Sequence, residues 1–131
     1  MIQQLFFHGF IILLIGLIGG YPFSFSAHNK KERETAWRLF HFASCMGGIM
    51  LIAIAACLHV LEISEASTFW VLFFSLIANY AFVLGMFIAA VSGERGLKWE
   101  KKFLNKAVYI LYSVATTFSL VFILILLYSI Y

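Results

Sequence analysis

Four histidines, two cysteines and a mid-chain asparagine hold most of the reactive side-chain chemistry of this 131-residue chain. Aspartate is absent, so no Ser-His-Asp set can be assembled, and there is no glycine-rich phosphate loop. Cys45 and Cys57 stand too far apart on one apolar stretch to form a disulfide within a straight helix. No zinc-type Cys/His spacing occurs either. What remains is imidazole, a ligand for transition metals and for haem iron. His28 falls in a polar connection, and His8 lies early in the first apolar stretch. His41 and His59 are eighteen residues apart, which on a helix is five whole turns. They therefore share one face with Ser44, Cys45, Gly48, Ile52 and Ala56. Eighteen residues also rise ~27 Å, so the two histidines cannot bind the same ion.

An imidazole bordered by small residues meets the first requirement of a haem ligand, because the porphyrin is an apolar plate that needs room beside it. His41 meets it: Ser44, Cys45 and Gly48 lie on its side of the helix. Arg38, one turn away, is placed to meet propionates. A pairing of His8 with His59 is a second possible arrangement, and a histidine satisfied by packing or by the membrane interface is the plain alternative. Asn79 has four hydrogen-bonding capacities to satisfy. It serves either as glue between helices or as a group facing a ligand.

The elements that must position these residues follow from composition. The chain is 63% apolar and 11% charged, against norms of about half and about a quarter. A soluble domain of this size has too high a surface-to-volume ratio to hide that much apolar surface, so the solvent must be a lipid bilayer. All charged side chains fall at 30–38, 62–65 and 94–106, leaving uncharged stretches at 1–29, 39–61, 66–93 and 107–131. Each stretch supplies the ~20 residues a helix needs to cross ~30 Å of hydrocarbon. None alternates with the period of a barrel strand. The expected fold is all-α: a polytopic membrane protein whose single domain, residues 1–131, has four transmembrane helices in one bundle. The helices are expected at about 4–23, 37–61, 67–91 and 105–129. The N-terminal stretch lacks a basic leader and a small-residue cleavage site, so it is read as a mature helix.

All nine Lys and Arg residues lie in the first and third connections. The positive-inside rule then puts loops 24–37 and 93–106 in the cytoplasm and both termini outside. The net charge of +3 is this loop bias and calls for no nucleic acid. Residues 95–106 are expected to form a short amphipathic lead-in to the fourth helix, with Leu97, Trp99, Phe103 and Leu104 at the lipid interface. Gly16 and Gly20 form a GxxxG pair, and Ala43/Gly47 and Ser44/Gly48 are small-xxx-small pairs suited to close helix packing. Gly48 lies ten residues beyond Arg38, ~15 Å deep. Gly16, Asn79, Thr116 and Thr117 reach a similar depth, forming either a packed polar waist or the floor of a small cavity.

The run Trp37-Arg38-Leu39-Phe40-His41, with Gly48-Ile49-Met50 seven residues on, resembles the second helix of the styrene oxide isomerases. His8-Gly9 is similar to that family's first helix. Ala78-Asn79 and the later Arg95-Gly96-Leu97 are similar to its third helix and exit loop. These patches cover about two thirds of the chain in the family's order.

The resemblance implies a small four-helix membrane protein that assembles as a trimer and carries haem b, with His41 holding the iron. It implies ferric Lewis-acid opening of an epoxide and a 1,2-shift to a carbonyl compound, consuming no electrons. The family's substrate-contacting asparagine, six residues after the histidine, falls on Gly47. Its helix-three tyrosine, four residues after the matching asparagine, falls on Val83. Asn79 and Tyr80 are then the expected catalytic contacts, Tyr80 standing one turn before Val83 on the same face. The expected cofactor set is His41, Ser44, Cys45, Gly48 and Arg38, and the expected ligand is a small hydrophobic molecule. The expected location is a bacterial-type inner membrane. Two other readings stand beside it: a haem or gas-binding protein without isomerase activity, and a small accessory subunit whose aromatic load coats a larger membrane complex.

Overall fold

The long uncharged stretches fold as helices because lipid offers no partner for backbone N–H and C=O groups. The structure, a computed structural model, describes residues 1–61 and 63–131, with residue 31 described by its backbone alone. It contains α1 (Ile2–Asn29), α2 (Lys31–Val60), α3 (Glu65–Ser92) and α4 (Phe103–Ile130), and no strand among the described residues. All four are long and apolar enough to cross a membrane.

α1, α3 and α4 run past the expected bounds at both ends, and α2 does so at its start. A helix of 28 residues, such as α1, spans ~42 Å, so its ends emerge from a ~30 Å core. The largest difference is at the first connection. Residues 24–29 continue α1 and 31–37 already belong to α2, leaving Lys30 alone between them. The expected loop at 24–37 is thus mostly helix. Lys, Glu and Arg are good helix formers, and Glu32 and Glu34 sit in the first turn of α2, where the helix dipole favours negative charge.

The third connection differs in the other sense. The expected lead-in helix does not form, because Gly93 (φ 81°) and Gly96 (φ 62°) both take the left-handed conformation. Gly93 ends α3, and buried Gly96 packs against Val108 at the start of α4. Leu97, Trp99 and Phe103 remain exposed, with the Lys106 ammonium 5.3 Å from the Trp99 ring centre.

α1 and α2 form one antiparallel hairpin and α3 and α4 a second. α3 is central: it packs on both helices of the first hairpin, while α4 packs on α3 alone among the described residues. The α1–α2 seam is a backbone-to-backbone contact. A Cβ on Gly48 would stand 2.6 Å from the Leu13 nitrogen, and one on Gly16 would stand 2.6 Å from the Cys45 nitrogen. Neither neighbour can step aside, so the small residues are what let the two helices meet.

Aromatic rings fill the wider gaps. Trp37, Phe40 and Phe87 cluster with centroids 5.7–6.1 Å apart, and Phe74 stacks on Phe118 at 5.3 Å. At the basic end Arg33 donates to the carbonyls of Ala90 and Val91, closing the last turn of α3. At the opposite end Ser64 caps α3, its hydroxyl accepting from the Ser67 N–H at 3.2 Å.

Candidate functional site

His41 lies half-buried on α2 where it meets α1. Its Nδ1 is 2.7 Å from the carbonyl oxygen of Gly16. A carbonyl can only accept, so Nδ1 carries the proton and donates it. Nε2 is then left with its lone pair, the state in which imidazole binds a metal. Phe23 stacks on the ring with centroids 6.1 Å apart and planes within 19°, and Phe42 leans on it at 5.0 Å. Arg38 is exposed one turn nearer the basic end.

Of the other residues expected around a haem, Ser44 and Gly48 are buried and Cys45 is half-buried, all along the seam with α1. The structure brings them together on the side of His41 but fills that side with α1. The room made by Ser44 and Gly48 is used by backbone. Ser44 is 1% exposed, and its hydroxyl has no hydrogen-bond partner among the described residues.

Asn79 and Tyr80 are adjacent, so their side chains leave α3 about 100° apart and enter different grooves. Asn79, 6% exposed, donates through Nδ2 to the Ser75 carbonyl at 2.9 Å. Its Oδ1 stands 2.7 Å from where a Cβ on Gly47 would be. The amide thus fills the space that residue 47 vacates. Around it is a groove of about 630 Å³ between α2, α3 and α4, walled by Met46, Met50 and Phe82, with Thr116 and Ser119 supplying hydroxyls. The mid-depth polar layer is therefore divided: Asn79 and Thr116 border the cavity, while Gly16 and Gly48 are packed in the α1–α2 seam.

Tyr80 faces α1 instead. Its hydroxyl is 2.8 Å from His8 Nδ1, and the two rings meet edge-on. Tyr80 and Val83 both line a second groove, of about 470 Å³, between α1 and α3 with Trp37 and Phe40 of α2 at one end. Tyr80 does present its ring beside position 83, as the shared face predicted, but its hydroxyl is engaged by His8. The structure brings neither Asn79 nor Tyr80 to His41.

His8 is the residue that sequence reasoning left out of the site. Its signal was present, a lone imidazole in an apolar run, but its partner lies 72 residues away. Bonded there, it does not pair with His59, which is exposed near the far end of α2. No group of three or more His, Cys, Asp or Glu side chains able to hold a metal occurs among the described residues. A third cleft, of about 360 Å³, opens at the basic end among Glu32, Arg33, Glu94, Arg95 and Tyr112. Beside it Lys102 and Glu94 pair at 2.8 Å. The Lys102 hydrogen bond holds the Glu94 carboxyl below its ordinary value and raises the Lys102 ammonium in return.

A sequence model of the styrene oxide isomerase family matches residues 1–131, the whole chain. No curated protein and no solved structure matches it.

Proposed function

The chain belongs to the styrene oxide isomerase family, and from that premise we propose that it binds haem b through His41 and isomerises a small hydrophobic epoxide to a carbonyl compound. One observation carries the haem assignment: His41 gives its Nδ1 proton to the Gly16 carbonyl, leaving Nε2 as the ligand atom. Of the expected residues His41 and Arg38 fit the group, while Ser44, Cys45 and Gly48 are taken up by the seam with α1. A neutral imidazole would hold the iron, and exposed Arg38 would pair with propionates. When bound, ferric haem b supplies a Lewis acid for an epoxide oxygen, with no net electron transfer.

The remaining work falls to the chain itself. Asn79 has an amide oxygen and a second N–H to offer, and Thr116 and Ser119 add hydroxyls on the facing helix. These groups orient an oxygen-bearing substrate. Met46, Met50 and Phe82 keep water out, so an opening ring rearranges rather than hydrates. His41 and Gly47 point about a third of a turn, ~120°, apart on α2. One copy therefore holds the cofactor ligand and the amide groove on different flanks. A homo-oligomer, a trimer as in the family, would set the His41 flank of one copy beside the groove of the next. The membrane is of the bacterial inner type, with the basic ends of the helices in the cytoplasm.

The engaged Tyr80 hydroxyl favours a second reading, a haem protein of this family without isomerase activity. The two are separated by incubating haem-loaded protein with an aryl epoxide, without any electron donor, and following carbonyl product by gas chromatography. Isomerisation predicts turnover that falls about 10-fold or more in Asn79→Ala, as expected when an orienting hydrogen bond is lost. A haem-loaded wild type that forms no carbonyl product would leave the second reading.

A further inference from the structure

The glycines of α1 that face His41 have separate jobs. Gly16 sits against the α2 backbone, where a Cβ would meet the Cys45 nitrogen at 2.6 Å. That contact fixes how near its carbonyl comes to α2, and the carbonyl accepts from His41 Nδ1 at 2.7 Å. In a helix the carbonyl of one residue is flanked by the side chain four positions on, here Gly20. A Cβ at Gly20 would stand 3.4 Å from Cε1 and 3.5 Å from Nδ1 of His41, at ordinary contact distance, so a bulkier β-branched side chain there would crowd the imidazole. Phe23, nearly parallel to the ring, sets its plane.

We infer that Gly16, Gly20 and Phe23 form a seat that fixes the tautomer and orientation of His41, which makes Gly20 a positioning residue for the iron ligand. Free imidazole can carry its proton on either nitrogen, and only one of the two forms presents Nε2 to a metal. Here the Gly16 carbonyl holds the proton on Nδ1 before any cofactor arrives. A bond from Nδ1–H to a carbonyl also orients the ring and strengthens Nε2 as a metal ligand, which favours the ferric over the ferrous state.

This inference rests on the assignment of His41 as haem ligand, but the tautomer belongs to the chain with or without haem. It is tested by nitrogen-15 NMR of histidine-labelled protein in phosphatidylcholine nanodiscs, haem-free, alongside haem titration and redox potentiometry. The seat predicts a His41 signal pair with protonated Nδ1 and bare Nε2 in the wild type. Gly20→Val should displace the ring, mix the tautomers, weaken haem binding by about 10- to 100-fold and raise the midpoint potential. Gly20→Ala, whose methyl fits at ordinary contact distance, should keep the wild-type tautomer and potential.

A folded Gly20→Val with unchanged tautomer and haem affinity would overturn the inference. So would a wild type that binds haem through His41 with the proton on Nε2, and this result decides the matter even if Gly20→Val fails to fold. A wild type with the predicted tautomer that takes up no haem would overturn the haem assignment instead.

Discussion

At position 47 a side chain is missing and at position 79 an amide from the facing helix stands in the vacated space. Gly47→Ala should therefore collide with Asn79 Oδ1, since its Cβ would stand 2.7 Å away. We expect a loss of about 1–3 kcal/mol, the range for overpacking a filled site, measured by thermal unfolding in detergent. In an Asn79→Ala background the same substitution should be near neutral, and that non-additivity is the signature of contact. The sequence marks Gly47 as a position where a family donor is absent, and Asn79 as a costly amide at mid-membrane depth. That the two occupy one space depends on the register between α2 and α3, which no local pattern encodes. The His8–Tyr80 bond was hidden for the same reason. Tyr80→Phe leaves His8 Nδ1 without its partner and should cost about 1 kcal/mol. A Tyr80→Phe variant with unchanged unfolding would show that this bond contributes nothing.

Helices are legible where charge punctuates the chain: each of the four spans sits between charged windows, and each exists. Their ends are less so. The basic residues from 31 on read as loop because they are polar, yet they form helix because nothing among them breaks one. Residues 95–106 read as an amphipathic lead-in, but Gly93 and Gly96 turn the chain away from helix, which resumes only at Phe103. Small-residue pairs predicted close packing, and the α1–α2 seam has it. Gly48→Ala should be far more damaging than Gly20→Ala, because its Cβ meets the backbone of α1 rather than the edge of a side chain. Helical content and folded yield after detergent extraction would rank them.

The charged end of α3 makes its own prediction. The Glu94 carboxyl is held low by Lys102, so that pairing orders the loop at neutral pH. The contribution is lost as pH falls through the lowered carboxyl value. Hydrogen exchange across 93–102 should rise there in the wild type, and Glu94→Gln should exchange faster at neutral pH with no such step.

In the whole molecule α3 divides two grooves, one toward α1 and one toward α2 and α4. Among the described residues α4 packs on α3 alone. The composition fixed the solvent and the number of spans; it could not say that the polar waist would be split between flanks. That split follows from Asn79 and Tyr80 being consecutive on one helix, and it is why a single copy does not gather His41 and Asn79. If copies complete one another, the detergent-solubilised protein should have the mass of an oligomer by light scattering, and a monomer that retains haem and turnover would count against shared sites. The central claim, however, is that His41 is an iron ligand. Its most direct test is the absorption spectrum of protein purified from haem-replete cells, wild type beside His41→Ala. The account predicts a Soret band in the wild type that His41→Ala loses while keeping its helical content. A colourless wild type, or a Soret band unchanged in His41→Ala, would contradict it.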